Sequence, residues 1–173
     1  MATYVWLFPI LFIFHDMEEI IGLIPWYQKN KELLGKRFPK ICKVYENVST
    51  EGFAFAVFEE LVLCIAICVI SLFTQWYGLW LGGLIGCTIH FAIHIIQSVA
   101  IKKYIPALIT SVMAVPVGCI VIRNSLNVLN YSIEALLLYS AAGIALVSLN
   151  LKFAHWLMKK FTFWMEKWGC PLN

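Results

Sequence analysis

Residues 52–73 read GFAFAVFEELVLCIAICVISLF, an apolar run whose only charged residues are two adjacent glutamates. A helix crossing a ~30 Å hydrocarbon core needs about 20 residues of this kind. Four further stretches read the same way, Tyr4–Trp26, Tyr77–Val99, Ile105–Ile122 and Tyr131–Leu151. The fold class this predicts is all-α: a polytopic membrane helix bundle of about five spans, forming a single membrane domain over residues 1–173.

Composition agrees. Hydrophobic residues make up 61% of the 173 and charged residues 13%, with a mean hydropathy of +0.81. A soluble domain is nearer half apolar and a quarter charged, so this chain is too apolar for a water-facing surface. Seven Trp, seven Tyr and twelve Phe supply side chains for two membrane interfaces. The basic residues sit in short links between apolar runs, which excludes a nucleic-acid footprint. Four of the six cysteines (Cys64, Cys68, Cys87 and Cys119) lie inside apolar segments, where a thiol packs as a small hydrophobe. No second pair joins Cys64 and Cys68 to complete a zinc spacing. Cys170 opens CPLN, a poor prenylation box. Asn47-Val48-Ser49 and Asn130-Tyr131-Ser132 are glycosylation sequons by pattern alone.

The links order the molecule. Lys29, Lys31, Lys36, Arg37, Lys40 and Lys43 share a basic loop over 27–51. Thr74-Gln75-Trp76 is a tight turn, Lys102 and Lys103 share a short link, and Arg123 to Asn130 is polar. Lys152, Lys159, Lys160 and Lys167 follow the last span. Five spans place all these cations except Arg123 on one side. The positive-inside rule then puts the N-terminus outside and the C-terminus in the cytoplasm, in an integral protein of a bacterial plasma membrane. Residues 152–168 divide into a Lys-rich arc containing His155 and an apolar arc, the pattern of an amphipathic helix lying at the membrane surface among lipid headgroups.

Some charges contradict a lipid setting. Asp16, Glu18 and Glu19 fall in the first span, Glu59 and Glu60 in the second, His15 in the first, and His90 and His94 in the third. None of these spans holds Lys or Arg. A carboxylate inside a bilayer is expensive and faces a protein interior with a partner, which leaves protons, the histidines or a bound cation. Counted along the helices at ~1.5 Å per residue, the set falls at one level, ~8 to ~17 Å from the cytoplasmic end. His15, Glu18, Glu19 and Gly22 share a face at offsets i, i+3, i+4 and i+7. Asp16 lies off that face. His90 and His94 are i, i+4, the spacing with which two imidazoles grip one metal ion.

His15-Asp16-Met17-Glu18-Glu19 reads H-x-x-E-E and resembles the signature of the HXXEE family of integral membrane proteins. That family is also described by a further histidine, matched here by His90 or His94, and by Y-x-P-G. Tyr104-Ile105-Pro106-Ala107 is similar to the last motif with Ala in place of Gly, and Pro106 is expected to begin a helix at its first turn. The resemblance covers the first three spans and the start of the fourth, and implies a membrane protein without an assigned activity. A looser likeness is to CAAX-protease-type intramembrane hydrolases, through Phe58-Glu59-Glu60 and His90/His94. That family continues to an Arg where this chain has Cys64, and its Phe-x-x-x-His is absent.

Three functions follow from the buried charges. The first is an intramembrane metal-dependent enzyme, a hydrolase or acyl transferase acting on a lipid, a lipidated peptide or a membrane peptide. Its metal ligands would come from His15, Glu19, Glu60, His90 and His94, and its catalytic carboxylate from Glu18, Glu19, Glu59 and Glu60. Mixed His and carboxylate ligation suits Zn²⁺, and a di-iron centre is the other option. The second is a proton- or metal-coupled transporter subunit, against which stand the lack of an internal repeat and of any polar route through the outer halves of the spans. The third is a structural subunit with a polar core held by interhelical hydrogen bonds.

Overall fold

The computed structural model describes residues 1–169, so Cys170 and its CPLN sequence lie outside the described residues. Among those described there is no strand. The chain forms α1 (Ala2–Val5), α2 (Leu7–Arg37), α3 (Pro39–Tyr45), α4 (Thr50–Thr74), α5 (Gly78–Ile101), α6 (Leu108–Leu129) and α7 (Ile133–Lys167). Four of these, α4 to α7, are long and apolar enough to cross a membrane. The five long helices form a ring in the order α2, α4, α7, α5, α6, closed by contact of α6 with α2.

α2 falls short of a span by composition alone, because its middle carries the carboxylates. Its packing accommodates them. His15, Asp16 and Glu19 are buried, whereas Ile10, Phe14, Met17 and Ile21 are exposed. The exposed set recurs at i, i+4, i+7 and i+11, one apolar stripe along the outside of the bundle. Charge therefore points inward, and α2 presents to its surroundings the same kind of surface as its neighbours.

Two expectations need correction. The basic loop over 27–51 is mostly helix: α2 runs on to Arg37 and α3 folds back beneath it, tied by the Tyr27 hydroxyl donating to the Cys42 carbonyl at 3.2 Å. The last span and the surface helix expected after residue 151 are one continuous α7. Its end is packed, with Ala154, Met158 and Thr162 buried and the Ser49 N–H donating to Thr162 Oγ1 at 3.1 Å. Both sequons are helix-to-helix turns. Asn47 and Asn130 take left-handed backbone, φ 57 and φ 50, and Ser49 and Ser132 accept from Gly52 N and Ala135 N as the N-caps of α4 and α7. Asn tolerates that conformation and Ser satisfies an orphan N–H.

Two local features fix the helix contacts. Pro9 has no N–H to donate to the Val5 carbonyl, which would be an unmet acceptor inside a bilayer. Trp80 Nε1 donates to it at 3.0 Å and Cys68 Sγ at 3.3 Å, so a gap in one helix ties α5 and α4 to the start of the chain. On α5, Gly78, Gly82 and Gly86 lie one turn apart and meet Tyr139 and Gly143 of α7. Small residues at this spacing let two backbones approach closely.

A Cβ on Gly143 would fall on the Gly82 carbonyl, whereas one on Gly35 would meet nothing within 4 Å. Gly143→Ala is expected to force α5 and α7 apart and to destabilise by about 1–3 kcal/mol. Gly35→Ala, in an open helical position, should be neutral or stabilising. Thermal unfolding in detergent reads both, and equal effects would contradict the contact.

Candidate metal centre

His90 and His94 sit one turn apart on α5, and their Nε2 atoms are 3.0 Å apart with the rings edge to face. His15 of α2 joins them, its ring centroid 5.0 Å from that of His94 and 5.9 Å from that of His90. One ligand atom from each of the three lies within 4.8 Å of the others. Zinc–nitrogen bonds of ~2.0–2.1 Å in a tetrahedral arrangement set nitrogens roughly 3.3 Å apart, so the three need only small side-chain shifts to close on one ion.

The fully buried His15 is oriented from behind. Its Nδ1 lies 3.3 Å from both Thr110 Oγ1 and Ser111 Oγ, while its Nε2 is buried without a hydrogen-bond partner among the described residues. Thr110 Oγ1 donates its proton to Glu18 Oε2 at 2.6 Å. The hydroxyl is then free to accept from an Nδ1–H, which leaves the lone pair on the buried Nε2. Holding one ring nitrogen in this way is how proteins fix a ligand histidine's tautomer.

Glu18 is fully engaged. Besides Thr110 Oγ1, its oxygens accept from the Thr110 N–H at 2.8 Å, the Ile109 N–H at 3.4 Å and the Tyr104 hydroxyl at 2.6 Å. The Ile109 and Thr110 donors belong to the first turn of α6, so Glu18 caps that helix from another element and meets the positive end of its dipole. Pro106 does not begin α6 as the sequence suggested. Leu108 N–H donates to the Ile105 carbonyl at 3.1 Å, and Ala107 has φ 91, so residues 105–108 make a type II turn with Pro106 at its second position. Its third position requires positive φ, and there Ala replaces the motif's Gly.

Three further carboxylates border a cavity of about 280 Å³ between α2, α4, α5 and α7, with α3 at one end. Asp16, Glu19, Glu60, His90 and His94 line it, together with Asn150. Glu19 Oε1 is 3.5 Å from His94 Nε2. No Lys or Arg is among the lining residues. Glu59 does not line the cavity, and its Oε2 accepts from Asn150 Nδ2 at 3.4 Å. The structure thus gathers His15, Glu19, Glu60, His90 and His94 in or against one space and leaves Glu18 and Glu59 beside it.

Some participants were not among the candidates read from sequence. Asp16 is buried on the cavity side, at i, i+3 from Glu19, a spacing that could have placed it there. Thr110, Ser111 and Asn150 are ordinary polar residues of α6 and α7, and nothing in their local sequence marks them. His155, expected on a surface arc, also lines the cavity.

The fold and site define a helical membrane protein with a buried histidine–carboxylate cluster. Residues 6–121 match the family described as "protein of unknown function with HXXEE motif". With well over half of the chain matched, the protein belongs to the HXXEE family. No curated protein and no solved structure matches it, and nothing in the comparisons supports the likeness to CAAX-protease-type enzymes.

A non-glycine residue held at positive φ costs of order 1 kcal/mol or more. Ala107→Gly is therefore expected to raise the unfolding temperature and leave the Tyr104–Glu18 contact intact. A fall in stability would mean that the turn is not strained there.

Proposed function

We propose that this protein is an intramembrane metal-dependent enzyme, a hydrolase or acyl transferase whose ion is held by His15, His90 and His94. The observation that carries this reading is the buried, unpartnered Nε2 of His15, on a ring packed against His90 and His94 beside a cavity that no Lys or Arg lines. A buried polar atom without a partner costs about 1–3 kcal/mol, a cost that a metal ion would remove. Three histidine ligands suit Zn²⁺ and leave a fourth position open.

When bound, the ion supplies a Lewis acid for a carbonyl and water acidified to a pKa near 7. Glu19, 3.5 Å from His94 Nε2, would serve as the general base. Glu60 faces the same space from α4 and protonates the leaving group. Glu18 takes no part in the chemistry: through Thr110 it holds His15 in the tautomer a ligand needs. The transporter reading is disfavoured by the cavity's far half, beyond the carboxylates, where Phe8, Phe12, Ile67, Gly83 and Cys87 offer no polar step.

The proposal places the Lys-rich end in the cytoplasm, because the positive-inside rule counts almost every cation there. Cysteines substituted at the exposed positions Lys36 and Asn127 test it. An impermeant reagent outside the cell should label the Asn127 position and spare the Lys36 position, and the reverse pattern would invert the orientation.

Elemental analysis of the purified protein should find a transition metal at one per chain. An excess of the ion at a hundred times its dissociation constant should stabilise by ~2.7 kcal/mol. His90→Ala and His94→Ala are expected to lose the ion and that stabilisation while remaining monodisperse. Glu19→Gln should retain metal and lose turnover. A parent protein that takes up no transition metal after supplementation would overturn the proposal.

A further inference from the structure

We propose that the cavity is an acyl-chain site that measures chain length and takes a single-chain substrate whose polar end is an uncharged ester or amide. The inference rests on the same site as the proposed enzyme and names what it acts on.

The first support is the shape of the cavity's far half. Phe8 lies seven residues before His15 on α2, Gly83 seven before His90 on α5, and Ile67 seven after Glu60 on α4. All three line the cavity, two helical turns, or roughly 10 Å, beyond the histidine and carboxylate level on their own helices. They also close on one another: a Cβ on Gly83 would meet the Phe8 ring at 3.2 and 3.3 Å and Ile67 Cδ1 at 4.0 Å. Between floor and site the wall is Phe12, Leu63, Cys64 and Cys87, apolar throughout. The far half is an apolar tube closed at its floor, and the polar level stands at its mouth, midway along a cavity that continues between Trp26, Val44 and Phe53 toward the Lys-rich end; this fits a chain whose functional group stops at that level.

The second support is charge. The polar level offers three carboxylates, Asp16, Glu19 and Glu60, and no Lys or Arg. A phosphate or free carboxylate at the head of the chain would be buried beside like charges without a cation from the protein. An ester or amide carbonyl is uncharged and accepts hydrogen bonds, so it enters at far lower cost. The polar end of the ligand is accordingly the scissile acyl group, with the chain behind it running away from the Lys-rich end.

Native mass spectrometry of the chelator-treated protein with 1-monoacylglycerols from hexanoyl to palmitoyl tests this without activity. Retention should rise about four-fold per methylene until the chain meets the floor, then stop. Gly83→Leu should move that break to shorter chains, and Ile67→Ala, which only removes volume, to longer ones. Monoalkyl phosphates of matching length should bind more weakly than the glycerides. A parent with no break, a break that neither variant moves, or equal retention of the phosphates would overturn the inference. A moving break in a protein that takes up no metal would sink the enzyme reading alone, and bound metal without a break would sink this one alone.

Discussion

Glu18 reaches from the middle of α2 to the first turn of α6, and the two helices cannot separate without leaving a carboxylate and two N–H groups unmet at their seam. In a bilayer no water stands by to take over those hydrogen bonds. The contact therefore sets the rotation of α2, and α2 carries most of the site. Once Glu18 faces α6, His15 faces Thr110 and Ser111, Glu19 and Asp16 turn toward α4 and α5, and the stripe from Ile10 to Ile21 is left outside. The Tyr104–Pro106 turn belongs to the same unit, since it delivers both the Tyr104 hydroxyl and the start of α6.

The bundle closes by different means at its two ends. Near Val5, a proline-made gap is filled by Trp80 and Cys68. Near Thr162, the long α7 lies against the first turn of α4, with Gly52 leaving room for Thr162 and Met158. Between them α5 and α7 meet through glycines. Gly82 and Gly143 meet backbone to backbone, and the cavity lies beside that contact, lined by Gly83 and Cys87 of α5 and by Leu146 and Val147 of α7.

Hydropathy made the helices legible, because run length is a direct measure of bilayer thickness. It misplaced their ends. Lys29 to Arg37 looked like loop for want of apolar residues, yet a helix continues there by packing one side on α3. Residues 152–168 looked like a surface helix because half of their circumference is polar, but Thr162 is small enough to be buried beside Ser49 and Gly52. In the site, the ionisable residues were visible as violations of the apolar pattern. Thr110, Ser111 and Asn150 were not, since a single hydroxyl or amide in a membrane helix costs too little to stand out.

The H-x-x-E-E spacing itself explains why its members separate. At 100° per residue, Glu18 lies about 60° to one side of His15 and Glu19 about 40° to the other. Asp16 lies farther round on the Glu19 side, with Phe12 and Leu23, and all four line the cavity. Gly22 lies on the Glu18 side, and Pro106 of the turn packs against it. His15 is thus at the boundary between the α6 contact and the other two imidazoles, with Nδ1 turned to Thr110 and Ser111. Two glutamates at i+3 and i+4 are the shortest way for a helix to flank one histidine on both sides. The first anchors the ring to α6 through Thr110. The second stands beside His94 in the cavity, where chemistry would need it.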